Sequence, residues 1–466
     1  MNYRKFVILL SVFVVAIFLL MMGCERIVEP EEMQGDAVSN LTLAKKGKGN
    51  VGINIVLNTE ISDAILQELG NYGKLLDVLQ QINGVRILGK TSVIPDILAL
   101  PYVEAAGPDA ERYGSPVDVV EATNFGNGLS TWNLDAVNVT DFGFNNRQVE
   151  YDGTGVFVGI LDSGLKDSWR QYFPEERIAS EYAKSFGGGG SEIAAVSEQP
   201  NKWEHDQDSH GTHVTSTVIG YDFYETPING VAPMAAIIPV KVLNNNGSGW
   251  SSVVARGIEY IAELKAGPLA DYPVVINMSL GGPSLDPLEK AAIDYAIAKG
   301  VIIVASAGNR GAAGMGYPGA YPSVISVAAA GWIGEWLQSD WWYNIDVAEQ
   351  TNQDHFYITD FSSRQLAGQD LDVAAPGSWV VGPYQVQSGK TSYYYLGGTS
   401  QAAPHVAGIV ALMAQKYPAL TAAEAEVILE GSAAYMAPGC FGDICWGADA
   451  TGAGLVDASA ALAATP

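Results

Sequence analysis

Positive charge is what this chain has least of. Lys and Arg number 25 against 51 Asp and Glu, for a formal net charge of −26 over 466 residues. A surface that acidic repels phosphate backbones and anionic headgroups, which excludes nucleic acid and anionic lipid surfaces as partners. Charged residues of both signs reach only 16%, while hydrophobic residues make up 48%. That balance excludes a disordered chain and indicates a large packed core. Histidine and cysteine are scarce too, at 5 and 3 residues. His210 and His213 lie three positions apart on one helix-like stretch, which would suit a metal. No Cys lies nearby, and His205, five positions upstream in a polar loop, carries no recognisable zinc pattern, so the pair reads as structural. The length admits roughly three domains of ordinary size, or fewer if an α/β enzyme domain runs long.

What the chain does have is a series of reactive residues, each at the end of an ordered stretch. Gly397-Gly398-Thr399-Ser400 makes a tight turn presenting a small hydroxyl. The apolar run Val406 to Met413 follows and predicts a buried helix over 405–416. Ser400 then falls at a helix N-terminus, where unpaired N–H groups and the dipole favour developing negative charge. Pro404 is expected in the first turn, where no intrahelical N–H bond is lost. Upstream, Val156 to Leu161 reads as a buried strand ending in Asp162-Ser163-Gly164. Ser209-His210-Gly211-Thr212-His213-Val214 places a histidine where a loop becomes a helix. Val301 to Ala305 is a strand ending in Ser306-Ala307-Gly308-Asn309. Strands are predicted at 156–161, 237–242, 273–279, 301–305 and 324–329, and helices at 210–219, 251–265, 287–299, 405–416 and 422–431. The alternation predicts an α/β fold, a parallel sheet with helices on both faces, whose ligands bind at the carboxyl ends of strands.

Asp162, His210, Asn309 and Ser400, in that order and those contexts, resemble the subtilisin-like serine peptidases, the subtilase family. The resemblance runs from about Trp132 to Asp457 and includes Asn277-Met278-Ser279-Leu280-Gly281-Gly282-Pro283-Ser284 and the stretch from Gly316 to Val324. It implies a serine endopeptidase in which Ser400 is the nucleophile, His210 the general base, Asp162 its orienter and Asn309 an oxyanion donor. It further implies that Ser279, Leu280, Gly281, Gly282, Ala307, Gly308 and Arg310 border the substrate, with Gly316 at the base of the pocket for the residue before the scissile bond. Such an open pocket suits large apolar or aromatic groups, and Arg310 at its rim disfavours Lys and Arg. Two positions depart from the family pattern: Gln401, usually methionine, and Ser209, usually glycine. No cofactor is required for the chemistry, but structural calcium is common in the family, and the loop around Asp206 and Asp208 is a candidate for it. His213 and His405 read as structural. A catalytically silent subtilase fold, kept as a binding module, is the alternative.

The N-terminal part carries separate signals. Arg4 and Lys5 precede the apolar run Phe6 to Met22, which closes with Gly23-Cys24, so residues 1–24 read as an export signal. The cysteine resembles the bacterial lipoprotein pattern, in which Cys24 is lipidated; an uncleaved membrane anchor is the alternative. Residues 25–50 read as a flexible tether. From residue 51 to 113 the element order β-α-β-β-α-β predicts a ferredoxin-like α+β module. Ahead of a subtilase domain (114–466) it resembles the family's propeptide, a chaperone and inhibitor, although an unrelated small domain fits the same pattern. Self-cleavage is expected after Tyr113, leaving the lipid with the propeptide and releasing the enzyme. Cys440 and Cys445 either close a small disulfide loop or stay free. Phe186 to Trp203, with four consecutive glycines, reads as a flexible insertion. The segment Gly331 to Ile358 is dense in aromatics, either an interaction surface or packed on its own flank.

Overall fold

The computed structural model describes residues 50–79, 83–108, 125–186, 198–199, 201–348, 355–386 and 391–466. The export signal with Cys24, nearly all of the tether, the tail containing Tyr113 and most of the glycine-rich insertion lie outside the described residues. The chain divides into two compact units between Val117 and Asp118.

In the first unit, apolar and polar residues alternate along β1 (Val51–Leu57), so Ile53, Ile55 and Leu57 all point into a core. Ser62 caps α1 (Asp63–Leu69), its Oγ accepting the Ile65 N–H. β2 (Gly73–Leu79) and β3 (Gly84–Gly89) follow, then α2 (Ile94–Leu98) and β4 (Val103–Pro108). Asn83, just ahead of β3, takes φ 49, a left-handed conformation that Asn tolerates in turns. The sheet order is β2-β3-β1-β4 with every pair antiparallel, the ferredoxin-like arrangement.

The second unit is built on an eight-stranded sheet. Its strands are β5 (Phe157–Asp162), β6 (Lys184–Ser185), β7 (Ala236–Lys241), β8 (Val274–Met278), β9 (Val301–Ser306), β10 (Ile325–Trp332), β11 (Phe356–Ile358) and β12 (Val373–Pro376). They run in the order β11-β10-β9-β8-β5-β7-β6, and β12 also pairs with β10. All pairs are parallel except β10 with β11, so the sheet is mixed, mostly parallel. The central strands are buried throughout, which explains their unbroken apolar runs. Helices α3 (His210–Ile219), α4 (Ser251–Ala266), α5 (Pro287–Ala298), α6 (Thr399–Lys416) and α7 (Ala422–Ser432) cover it. Among the described residues no helix is long and apolar enough to cross a membrane.

Helix α6 departs from expectation at its start. It begins at Thr399, and Pro404 sits inside it rather than in its first turn. A proline there removes the bond to the carbonyl four residues back, that of Ser400, at a cost of about 3 kcal/mol. Val406, Ile409, Val410, Leu412 and Met413 are all fully buried. Their burial contributes on the order of 10 kcal/mol, which outweighs that loss. The aromatic segment packs mainly on its own domain: Trp332, Trp341, Trp342, Phe356 and Tyr357 are buried, while Trp336 stays half exposed. Trp341 stacks on Tyr395 and leans on Trp132. Cys440 and Cys445 face each other across a short antiparallel pair and are disulfide-bonded.

Candidate active site

Each reactive residue sits where an ordered element begins or ends. Asp162 is the last residue of β5, near the middle of the sheet, and is fully buried. His210 opens α3. Asn309 follows the end of β9, and Ser400 is the second residue of α6. The sheet and its helices bring the four together, although 238 positions separate Asp162 from Ser400 in sequence.

His210 Nδ1 lies 2.9 Å from Asp162 Oδ1 and 3.0 Å from Oδ2, and its side chain is 22% exposed. With Nδ1–H donating to the carboxylate, Nε2 is left as the ring's free acceptor. Burial opposes the imidazolium, but the charge and hydrogen bond of Asp162, with Asp208 and Asp206 behind it, push His210 up to about 9. Asp162 itself is held by the Ser163 N–H at 2.6 Å, and Ser163 Oγ accepts from Gly211 N at 2.9 Å, tying the strand end to the first turn of α3.

Ser279 positions the serine. Its Oγ donates to the Ser400 carbonyl at 2.7 Å, the group that Pro404 leaves without its helical partner. Its own carbonyl accepts the Ser400 hydroxyl at 3.1 Å. In this rotamer the hydroxyl rests on the Ser279 carbonyl, while His210 lines the same cavity as Ser400. The Ser400 N–H belongs to the first turn of α6, where N–H groups have no intrahelical acceptor. Asn309 Oδ1 is occupied by Thr399, accepting from its N–H at 2.9 Å and its hydroxyl at 2.8 Å. That orientation leaves Nδ2 as a donor facing the same space. A Cβ added at Gly398 would stand 2.8 Å from Gln401 Oε1 and in ordinary contact with Asn309 Nδ2 at 3.4 Å, so a side chain there would crowd the space that the amide faces.

A cleft of about 450 Å³ adjoins these donors, lined by Leu280, Gly281, Gly282, Gly308, Arg310 and Gly316 together with Asn309 and Ser400. Gly282 and Tyr317 exchange two backbone hydrogen bonds of 2.8 Å, closing one wall. Gly308 has φ +101, and an added Cβ would stand 3.2 Å from Gly316 N. Among the described residues Arg310 has no ion-pair partner, and it is exposed. Ala307 does not line the cleft: its side chain is buried in the core, and its carbonyl accepts the Gly316 N–H. Ser279 borders the neighbouring cavity instead.

Among the described residues, Asp206 and Asp208 are not part of any cluster of three or more converging ligand atoms. Asp206 Oδ1 accepts the N–H groups of Asp208 and Ser209, and its burial pushes its pKa up to about 7. Its role is to shape the turn that delivers His210. Two other acidic groups converge, Asp135 with Asp141 and Asp346, and Asp370 with Asp372 and Glu426. Both spend a carboxylate oxygen on backbone, Asp135 on Val347 N and Asp372 on Ser326 N. No ion is assigned to either. His213 and His405 are fully buried and held neutral by desolvation, their pKa values lowered to about 3 and about 4. His213 Nε2 meets the Val380 carbonyl, and His405 joins Gln401 O to Asn133 Nδ2.

Ser209 stands in a backbone conformation that glycine adopts freely. It adopts φ 74 and ψ 4, the left-handed region, and its buried Oγ has no hydrogen-bond partner. The strain costs roughly 1–2 kcal/mol and the orphaned hydroxyl about 1–3, against roughly 0.5–1 for the added freedom of an unfolded glycine. Ser209→Gly is therefore expected to stabilise the enzyme by at least about 1 kcal/mol, raising its melting midpoint. Thermal melts in a Ser400→Ala background, where self-digestion cannot intrude, check this; an unchanged or lower midpoint contradicts it.

A strand-end carboxylate, a helix-opening imidazole, a serine on a helix N-terminus and a side-chain amide beside a peptide-sized cleft define the class of serine hydrolases acting on acyl groups. Residues 153–455 match the Subtilase family, and the chain belongs to it as a subtilisin-like serine peptidase. It is 36% identical to subtilisin DY of Bacillus licheniformis over 287 residues, covering 61% of this chain and 85% of that protein. It is 35% identical to a subtilisin of Bacillus pumilus over 290 residues, covering 61% and 86%. Among solved structures, Sphericase aligns with a TM-score of 0.52 at 26% identity, covering 70% of this chain and 97% of its own.

Proposed function

We propose that the protein is an exported endopeptidase, made as a self-inhibited precursor, in which Ser400 attacks the scissile carbonyl. His210 Nε2 takes the hydroxyl proton and returns it to the leaving amine; water then hydrolyses the acyl-enzyme by the same route. Asp162 holds the ring tautomer, and Asn309 Nδ2 with the Ser400 N–H meets the oxyanion. The observation that carries this reading is the two-pronged approach of Asp162 to His210 Nδ1, with His210 and Ser400 lining one cavity. As in subtilases generally, no cofactor takes part in the chemistry. The glycine-lined cleft suits a large apolar or aromatic residue before the scissile bond, and the unpaired Arg310 repels lysine and arginine there.

Residues 51–113 are assigned as propeptide and inhibitor, a reading supported by their ferredoxin-like sheet order ahead of the catalytic unit. Self-cleavage after Tyr113 places an aromatic residue in that cleft. A lipid on Cys24 anchors the precursor to a membrane and stays with the propeptide half, so maturation releases a soluble peptidase onto protein or peptide substrates. Fluorophosphonate labelling of the processed protein is expected to tag Ser400, and N-terminal sequencing of the active form to begin at Gly114. An unlabelled Ser400 would leave a silent binding module, and an active chain retaining Cys24 would end the release mechanism.

A further inference from the structure

A second cavity of about 520 Å³ shares Leu280, Gly281, Gly282 and Ser400 with the first cleft and extends to Trp250 and Glu289. Glu289 is only 5% exposed, yet among the described residues no donor hydrogen-bonds its carboxylate and no cation pairs with it. It is the third residue of α5, where a glutamate often folds back onto the N–H of the capping residue. Here that contact is absent: Asp286 caps the helix by accepting from Leu288 N and Glu289 N, and nothing returns from Glu289. Lys290, next to it, is committed to Asp294 at 2.6 Å. Burial, with the charge of Asp286, pushes Glu289 up to about 7, as expected for a carboxylate without a counter-charge.

A buried, unpaired carboxylate is costly unless something completes it. The group it lacks is a cation with a stem long enough to reach the floor of a cavity. Trp250, 44% exposed on the same cavity, offers an aromatic face for such a stem and charge. An extended substrate lying along Leu280–Gly282 sends alternate side chains to opposite faces, so cavities flanking that segment receive different residues of one peptide. Resting on the peptidase reading above, we propose that Glu289 is a specificity-determining residue that selects a lysine or arginine upstream of the scissile bond, seated in this second cavity. The two cavities then carry opposite charge rules, with Arg310 rejecting a cation immediately before the bond and Glu289 recruiting one further upstream. Together they fix the register in which a peptide is cut.

The test is a set of fluorogenic peptides with phenylalanine before the scissile bond and either lysine or leucine at each of the second to fifth positions upstream. The wild-type enzyme is expected to favour lysine at one of these positions by on the order of 10- to 100-fold in kcat/KM. Glu289→Leu, which replaces a lone buried charge by an apolar group and so keeps the fold, is expected to invert the ratio towards leucine. Glu289→Gln is expected to abolish it, separating charge from shape. Fluorophosphonate titration normalises each variant to its folded fraction. A wild-type ratio near one at every position, or a lysine preference that survives in Glu289→Leu, overturns the inference. A short acyl-phenylalanine substrate that cannot reach the second cavity separates the two readings. If the wild type leaves that substrate uncut as well, the proposed peptidase mechanism has failed, and this inference with it.

Discussion

Ser400→Ala is expected to yield a folded chain that neither hydrolyses peptides nor trims itself, with kcat lower by on the order of 10⁶, a size carried over from subtilisin itself. The fold survives because the interactions that place residue 400 do not use its hydroxyl. Its carbonyl is held by Ser279 Oγ, and α6 is held by its buried apolar face. The lost contact is a single 3.1 Å bond to the Ser279 carbonyl, at a site that borders solvent. Steady-state kinetics and gel analysis of the precursor measure both effects. A purified Ser400→Ala chain that still shortens itself, with contaminating peptidases excluded, would refute the assignment.

Asp162→Asn is expected to lower turnover by on the order of 10⁴ with the fold intact. The amide oxygen can keep the Ser163 N–H bond, which turns Nδ2 towards His210 and forces the ring to accept at Nδ1. The imidazole then presents N–H to Ser400 and cannot take its proton. The pH profile reads the same contact. His210 is protonated below its raised value of about 9, so kcat/KM is expected to climb with rising pH as the imidazolium loses its proton. Removing the Asp162 charge takes away the leading cause that raises it. The midpoint of the climb in Asp162→Asn is therefore expected to fall towards or below the ordinary histidine value of about 6.5. An acid limb at the same pH in both proteins would mean that another group controls it.

The strands of the catalytic unit were legible because a buried parallel sheet writes itself as unbroken apolar runs; the predicted stretch 301–305 and β9 nearly coincide. Helix α3 matched its predicted span of 210–219. The start of α6 was not legible, since Thr399 to Gln401 carry no apolar period and a proline normally marks a first turn. The Ser279 hydroxyl, distant in sequence, takes up the carbonyl that Pro404 leaves free, and the buried apolar face of the helix offsets the rest of the loss. The short edge strand β11, which runs against its neighbour, was hidden within an aromatic segment whose residues are buried for reasons of tertiary packing. The candidate reactive residues could be nominated from their contexts, and the structure gathers them at one site. The groups that hold them, Ser279, Thr399 and Asp206, could not, because a hydroxyl or carboxylate bonded to backbone leaves no period or spacing. Glu289 was silent for the same reason: in sequence it is one more acid on a helix.

The distribution of the four reacting residues over β5, α3, the end of β9 and α6 also bears on safety during biosynthesis. Asp162 gains its partner only when α3 has docked, and Ser400 gains its place only when the last long helix has packed across the sheet. A nascent chain still lacking its final third has no Ser400 at all, and one whose sheet has closed in the wrong order carries its candidate reactive groups in scattered, inert pieces. The hazard of making a protein-cutting enzyme inside a cell is thereby deferred to the moment when the chain has passed its own structural inspection.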